Sequence, residues 1–195
     1  DAADQLLVAK WVMRQLAYQY GVTLTFAPKI TVGKAGSGMH VHCKFTRNGQ
    51  SVMTRNGELT DECRKAIAGY MVAGTSLPAF GNPHPLSFMR LVPHQEAPTS
   101  LCWSFSNRSA LVRVPLGWLK HMDMAAKCNP LEKAQDKDFS YKQTFEWRAS
   151  DGFADTYLLM AALCCAARHG FEMPDALAVA DKTYVGLGVN IHDEK

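Results

Sequence analysis

This sequence predicts an α+β fold built on an antiparallel sheet, on three observations. Apolar residues recur at helical spacing near both ends of the chain. Short alternating runs, rich in β-branched and aromatic residues, occupy its middle. Hairpin-like turn signals separate those runs, without strict βαβ alternation. With 195 residues, 47% hydrophobic and 20% charged, the chain can bury one sizeable core and is short for two. One domain over 1–195 is expected.

From Asp4 to Tyr20, Leu7, Trp11, Met13, Leu16 and Ala17 mark a helix, and Gly21 offers its C-terminal cap. Val22 to Phe26 alternates and predicts a strand ending before Pro28. Gly33 to Gly38 is a glycine-rich turn, Met39 to Phe45 a second strand, and Asn48-Gly49 a hairpin signal. Thr60 caps a helix predicted to run to about Ala79, stopped by Gly81-Asn82-Pro83. Arg90 to Ser106 is a long segment broken by Pro93 and Pro98. Strands follow at Ala110 to Val114 and Gln143 to Ala149, with a polar, charged loop between them. Asp155 to His169 is an apolar helix that Gly170 would close, and Pro174 to Tyr184 a shorter one.

Composition removes several function classes. Twenty-one basic against 18 acidic residues leave a net charge of +3 spread along the chain, not the basic face of a nucleic-acid binder. The longest apolar run, Tyr157 to Ala167, is about half of the roughly 20 residues a membrane helix needs. No basic-flanked apolar leader precedes the first helix, so secretion is disfavoured. The six cysteines show neither CxxC spacing nor a disulfide framework, which suits a reducing cytoplasm and no zinc site. Asn107-Arg108-Ser109 formally matches a glycosylation acceptor and is silent in that setting.

Chemistry concentrates in a few segments. In Gly38-Met39-His40-Val41-His42-Cys43-Lys44-Phe45, alternation sends Met39, Val41, Cys43 and Phe45 to the core and His40, His42 and Lys44 to the other face. Two imidazoles at i and i+2 suit a metal or an anion, or simply a surface strand. In Thr144-Phe145-Glu146-Trp147-Arg148, the aromatics go inward while Thr144, Glu146 and Arg148 share the outer face. Glu146 and Arg148 could pair with each other; if the two strands share a sheet, His40 and Glu146 could instead ligate one divalent cation. Arg90, Arg108, Arg113 and Arg148 each interrupt an apolar or strand-like stretch, where a charge is costly unless it meets an anion. Four such arginines point to a polyanion, with nucleotide phosphates the natural candidate.

The turn Gly33-Lys34-Ala35-Gly36-Ser37-Gly38 lacks Gly-Lys-Ser/Thr and leads into a strand, so it is neither a Walker A loop nor a dinucleotide fingerprint. Its glycines would still let backbone approach a ligand closely. Val92-Pro93-His94-Gln95-Glu96-Ala97-Pro98 reads as a loop able to act as a flap carrying an acid/base, Glu96.

Taken together, Pro28-Lys29, Gly36-Ser37-Gly38-Met39-His40-Val41-His42, Asn82-Pro83, Arg90-Leu91-Val92-Pro93, Glu96-Ala97-Pro98, Asn107-Arg108-Ser109-Ala110 and Glu146-Trp147-Arg148 resemble, in order, the C-terminal catalytic domain of glutamine synthetase. The resemblance covers Asp1 to about Gly170. It implies a curved, mainly antiparallel sheet flanked by helices, the glutamine synthetase/guanidino kinase-like fold. It also implies ATP-dependent ligation of ammonia to glutamate through a γ-glutamyl phosphate.

Carried over residue by residue, the resemblance makes His40 and Glu146 ligands of a Mg²⁺ or Mn²⁺ ion that bridges the ATP phosphates. His42 and Lys44 fall in the nucleotide site. Arg108 and Arg113 hold ATP phosphates, and Arg148 stabilises the transferring phosphoryl group. Gly36 and Arg90 hold glutamate, and Glu96 on the flap accepts a proton from ammonium. The sequence departs from the family pattern at Ala35, where Asn is common, at Lys44 (Ser), at His94 (Gly) and at Thr144 (a basic residue). The resemblance further implies a cytoplasmic homo-oligomer with an N-terminal β-grasp domain and further metal-binding carboxylates upstream of Asp1. On that reading this chain is a piece of a longer enzyme and is inert alone. A γ-glutamyl ligase using another amine, and a non-catalytic nucleotide- or metal-binding homologue, are the competing readings.

Overall fold

The computed structural model describes residues 1–115, 128, 129, 131, 133, 139–186, 189 and 191. The polar loop expected between Val114 and Gln143 therefore lies largely outside the described residues. Helix α1 (Ala2–Gln19) ends as its sequence predicts. Gly21 adopts φ 61°, its N–H donates to the Tyr18 carbonyl at 3.1 Å, and Val22 N–H donates to the Ala17 carbonyl at 2.9 Å.

Val22 to Phe26 forms no strand, which corrects the sequence expectation. No strand among the described residues pairs with the segment, and its aromatic residue is used elsewhere: the Lys10 ammonium and the Arg14 guanidinium of α1 lie over the Phe26 ring, 5.5 and 5.1 Å from its centroid.

Strand β1 (Val41–Cys43) is followed by two small hairpins, β2 (Thr46–Arg47) with β3 (Gln50–Ser51), and β4 (Thr54–Arg55) with β5 (Glu58–Leu59). The first turn uses Asn48-Gly49 as expected. The second uses Asn56-Gly57, an equally strong hairpin signal. All four turn residues have φ between 51° and 81°, the left-handed region that two-residue hairpins require.

Thr60 caps α2 (Asp61–Val72), its Oγ1 accepting from Cys63 N–H at 3.1 Å. This helix stops short of Ala79. A turn intervenes, and Pro78 opens a separate short helix α3 (Pro78–Gly81) at the position where its missing N–H costs no bond. Helix α4 (Pro85–Phe88) follows, then β6 (Ser100–Phe105), β7 (Ala110–Val114) and β8 (Phe145–Trp147). A short 3-10 helix (Ser140–Lys142) precedes β8, and helices α5 (Thr156–Glu172) and α6 (Ala176–Lys182) follow it.

The four-stranded sheet has the order β1-β8-β7-β6. Its β1–β8 and β7–β8 pairs are antiparallel and its β6–β7 pair parallel, so the expected mainly antiparallel sheet is present with one parallel exception. One face packs on α2 and α5. Phe145, Trp147, Val112 and Val114 from the sheet meet Ile67 and Tyr70 of α2 and Leu159 and Leu163 of α5 in one apolar cluster. Met39, Val41, Cys43 and Phe45 pack against it, as alternation predicts.

Gly170 is not a cap. It lies inside α5 and faces Gly69 of α2, where a Cβ at either position would fall 2.0 Å from a backbone carbonyl oxygen of the other helix. The two glycines let the helices cross nearly backbone to backbone. Since the helices hold one face of the sheet, the alternate residues of β1, β7 and β8 are left to the other.

Candidate active site

Sheet register assembles the site. His42 of β1 is opposite Glu146 of β8, and Glu146 is opposite Arg113 of β7, so three strands place three polar side chains in one row on the face away from α2 and α5. Backbone pairing continues past β1, with Met39 N–H donating to the Ser150 carbonyl at 2.8 Å. That brings His40 alongside Arg148.

Glu146 is the centre. Its side chain is 1% exposed, and Arg148 Nη1 donates to its Oε1 at 2.5 Å. Arg113 Nε lies 2.8 Å from Oε1, and Arg113 Nη2 donates to Oε2 at 3.2 Å. His42 Nε2 is 3.0 Å from Oε2, and His40 Nδ1 is 3.8 Å from Oε1. Burial alone would raise the Glu146 pKa. The hydrogen bonds from His42 and Arg148 and the charges of Arg113 and Arg148 outweigh it and hold the carboxyl at about 2. His40 moves the other way for its type: burial first, then the Arg148 charge, pulls its pKa down to about 4, leaving a neutral imidazole near neutral pH. Thr144, one of the departures from the family pattern, has a job here. Its Oγ1 lies 3.0 Å from His42 Nδ1 and fixes the ring.

Glu146 and Arg148 do share a face as expected, but that face is buried, not open to solvent: Arg148 is 4% exposed. Carboxylate and guanidinium pair directly, the simpler of the two readings for that strand. A neutral imidazole and a carboxylate 3.8 Å apart are nonetheless compatible with one divalent cation, since each carboxylate oxygen has two lone pairs. No group of three His, Cys, Asp or Glu that could hold a metal gathers among the described residues, so His40 and Glu146 fit part of a coordination sphere.

Beside this cluster lies a cavity of roughly 60 Å³ lined by Gly36, Gly38, His40, Arg90, Gln95, Glu96, Ala97 and Arg148. Arg90 is buried and donates from Nη2 to the backbone carbonyls of Ala149 and Ser150, the latter at 2.9 Å. The glycines fit around it. A Cβ on Gly38 would fall 2.8 Å from Arg90 Nη1, and one on Gly36 would fall 2.3 Å from the Pro28 carbonyl oxygen and 2.7 Å from Arg90 Cγ. The glycine-rich turn thus brings its backbone close to the Arg90 side chain. Arg90 Nε and Arg148 Nε are buried without a hydrogen-bond partner in the protein.

Six of the expected site residues, Gly36, His40, Arg90, Glu96, Arg148 and Glu146, therefore fall within this cavity or on its wall of charge, and His42 and Arg113 adjoin them through Glu146. Lys44 is exposed just past the end of β1. Arg108 lies exposed in the 106–109 connection between β6 and β7 and is not among the groups that meet Glu146. His94 takes φ 59°, the backbone conformation that explains why glycine suits this position.

Two features were not read from the sequence. Lys29 reaches from the start of the glycine-rich segment to Gln95. A buried network joins Asn82 Nδ2 to the Ala149 carbonyl and to Asp151 Oδ2, both at 2.8 Å. Lys29 and Asn82 stand in motifs whose spacing does not reveal these partners, which are 66 and 69 positions away.

A family model described as glutamine synthetase, catalytic domain, matches residues 1–181. The glutamine synthetase of Neisseria gonorrhoeae is 36% identical over 172 residues, which is 87% of this chain and 32% of that protein. That of Mycolicibacterium smegmatis is 36% identical over 174 residues, again covering 32% of its length. Among solved structures, the Plasmodium falciparum glutamine synthetase determined by cryo-electron microscopy matches with a TM-score of 0.72 at 28% identity, over 88% of this chain and 30% of that one. The chain spans about a third of the length of the relatives it matches. A family match across 1–181, on a fold that carries the row His42, Glu146 and Arg113, assigns this chain to the glutamine synthetase catalytic-domain family.

Proposed function

We propose that this chain is the catalytic-domain part of an ATP-dependent glutamate–ammonia ligase. The observation that carries the reading is the buried Glu146 carboxylate held by Arg113 and Arg148 beside the Gly36–Arg90–Glu96 cavity. In the reaction, a side-chain carboxylate oxygen of glutamate attacks the γ-phosphorus of ATP and the bond to ADP breaks. Ammonia then attacks the acyl phosphate carbon and phosphate leaves with its bonding electrons. Arg148 would offset the charge of the transferring phosphoryl group, and Arg113 with Arg108 would hold ATP phosphates. Gly36 and Arg90 would hold glutamate, with Lys44, His42 and Arg108 on the nucleotide side. Glu96 would take the proton released as ammonium becomes the nucleophile. His40 and Glu146 would supply part of the sphere of a Mg²⁺ or Mn²⁺ ion, which when bound neutralises phosphate charge.

Glutamate, ammonia and ATP are thus the proposed partners, with neither nucleic acid nor membrane. No helix among the described residues is long and apolar enough to cross a membrane. The six free cysteines support a reducing, cytoplasmic setting. A homo-oligomer is proposed because α1 leaves Leu7, Val8 and Trp11 each about 58–60% exposed, a face a second copy would cover. With two donors of a metal site among the described residues, turnover by these 195 residues alone is not expected.

The test is phosphate release from ATP by the full-length protein, with Mg²⁺ and glutamate, comparing ammonium with a panel of amines and with Glu146→Ala as control. Ammonium-dependent turnover lost in the control supports the reading. Turnover with another amine only moves the protein to the sister ligases and makes Ala35 and Thr144 the residues to examine. Tight Mg·ATP binding without turnover identifies a non-catalytic homologue.

A further inference from the structure

We propose that Lys29 and Gln95 form a latch that holds the Glu96 loop against the glycine-rich loop, so that the reacting carbonyl meets ammonia and not bulk water. This inference rests on the ligase reading above. Lys29 is a positioning residue in it, not a catalytic one.

Two loops without regular structure form the cavity's mouth, one supplying Gly36 and Gly38 and the other Gln95, Glu96 and Ala97. Each loop has its own anchor. The first is stapled at its base by Ser37 N–H donating to the Pro28 carbonyl at 2.9 Å and Lys34 N–H to the Thr31 carbonyl at 3.3 Å. The second is anchored at its far end by buried Ala97 and Pro98. Glu96 itself is exposed, so its position depends on its neighbours.

Lys29 joins the loops. Its side chain donates from Nζ to the Lys34 carbonyl, within the first loop, and to Gln95 Oε1, on the second. Lys29 is 5% exposed, and among the described residues no carboxylate lies within ion-pair distance of it. Lysines are seldom buried unless paired, because the ammonium gives up its hydration. A position needed for packing alone is better filled by Met or Leu. An ammonium whose two named acceptors lie on different loops has a use that Met lacks: it sets the spacing between them. Gln95 is next to Glu96, so fixing Gln95 from one side and Ala97 from the other leaves Glu96 little freedom.

A loosened mouth would let water attack the acyl phosphate carbon. A carbon–oxygen bond forms, phosphate departs, a proton goes to solvent and glutamate is regenerated. The readout is therefore the ratio of phosphate released to glutamine formed, measured on the full-length protein with glutamate, ATP, Mg²⁺ and ammonium. Wild type should give a ratio near one. Lys29→Met and Gln95→Leu should each raise it several-fold, the double variant no further, and Gln95→Glu should keep it near one because a carboxylate accepts the same bond. A structural defect that merely lowers the amount of folded enzyme lowers both products together and leaves the ratio at one; that result overturns the latch.

Amide hydrogen exchange gives a second readout that needs no turnover. Residues 92–98 should exchange at least tenfold faster in Gln95→Leu than in wild type, with β8 and α5 unchanged. Unchanged protection overturns the latch. If wild type ligates no acceptor at all, the ligase reading fails, and exchange alone decides whether the two loops are tied. Should Lys29→Met not fold, Gln95→Leu, which replaces a half-buried side chain at the loop, carries the same expectations.

Discussion

Glu146 is a carboxylate removed from water and surrounded by three donors, and its removal has a consequence that is not limited to catalysis. Glu146→Ala leaves Arg113 and Arg148 facing each other without an anion, Arg148 being fully enclosed. Breaking a buried pair from one side costs about 3–5 kcal/mol. Urea unfolding should show that loss as a lower midpoint with the slope unchanged. A change below about 1 kcal/mol would mean that the arginines find other acceptors.

The same residue predicts an acid limb. Its carboxyl is depressed from 4.5 to about 2, so its stabilisation is fully present above pH 4.5 and is lost as the pH falls towards 2. His40, lowered from 6.5 to about 4, binds protons more readily in the unfolded chain between those values. It therefore erodes stability first, as the pH falls from 6.5 to 4. In a chelator, His40→Gln should flatten the upper window and Glu146→Gln the lower one. Urea midpoints measured from pH 7 to pH 2.5 test both, and overlapping curves for all three proteins would refute the assignment.

At the scale of single elements, the crossing of α2 and α5 decides between two opposed effects of glycine. Alanine in a helix interior is ordinarily favoured over glycine by about 1 kcal/mol. Here a Cβ on Gly170 would fall 2.0 Å from the Lys65 carbonyl oxygen, a backbone atom that cannot swing aside. The helices must separate and pull against Tyr70, Leu163 and Ala166 in the core, at an overpacking cost of about 1–3 kcal/mol beyond the propensity gain. Gly170→Ala is expected to lower the melting temperature by several degrees. Gly186→Ala, with nothing within 4 Å, should leave it nearly unchanged.

This crossing also shows what the sequence could and could not reveal. A glycine after an apolar helical run reads equally well as a cap or as a contact, and only the partner helix, a hundred residues earlier, tells them apart. Gly21, with no helix beside it, was legible as a cap because the Schellman bonds are local. The split of residues 39–45, around β1, into core-facing Met39, Val41, Cys43 and Phe45 and site-facing His40 and His42 was legible for the same reason: the period of a strand is local. The tie from Lys29 to Gln95 and the bond from His42 to Thr144 depend on register and loop packing, and no spacing in the chain encodes them directly.

For the molecule as a whole, burial is unevenly shared, and stability should be too. Strands β7 and β8 and helices α2 and α5 hold many of the residues with no exposure at all, including Val112, Phe145, Trp147, Ile67 and Leu159. Helix α1 buries only Ala3 among its 18 residues. It is fastened by a few ties: Tyr157 Oη donating to Asp4 Oδ1 at 2.5 Å, Lys10 Nζ to the Gly152 carbonyl at 2.7 Å, and the two cations over Phe26. Exposed hydrogen bonds and cation–ring contacts contribute of order 1 kcal/mol each, whereas one enclosed Phe or Trp contributes about 3–5 kcal/mol against Ala. Native-state hydrogen exchange on this chain should therefore show α1 opening by itself, with protection several kcal/mol below that of α5 and β8, which should exchange only on global unfolding. Lys10→Met should lower protection in α1 and leave the core amides untouched. Equal protection in α1 and α5 would show instead that the helix unfolds only with the core, and that its few polar ties hold far more tightly than their exposure allows.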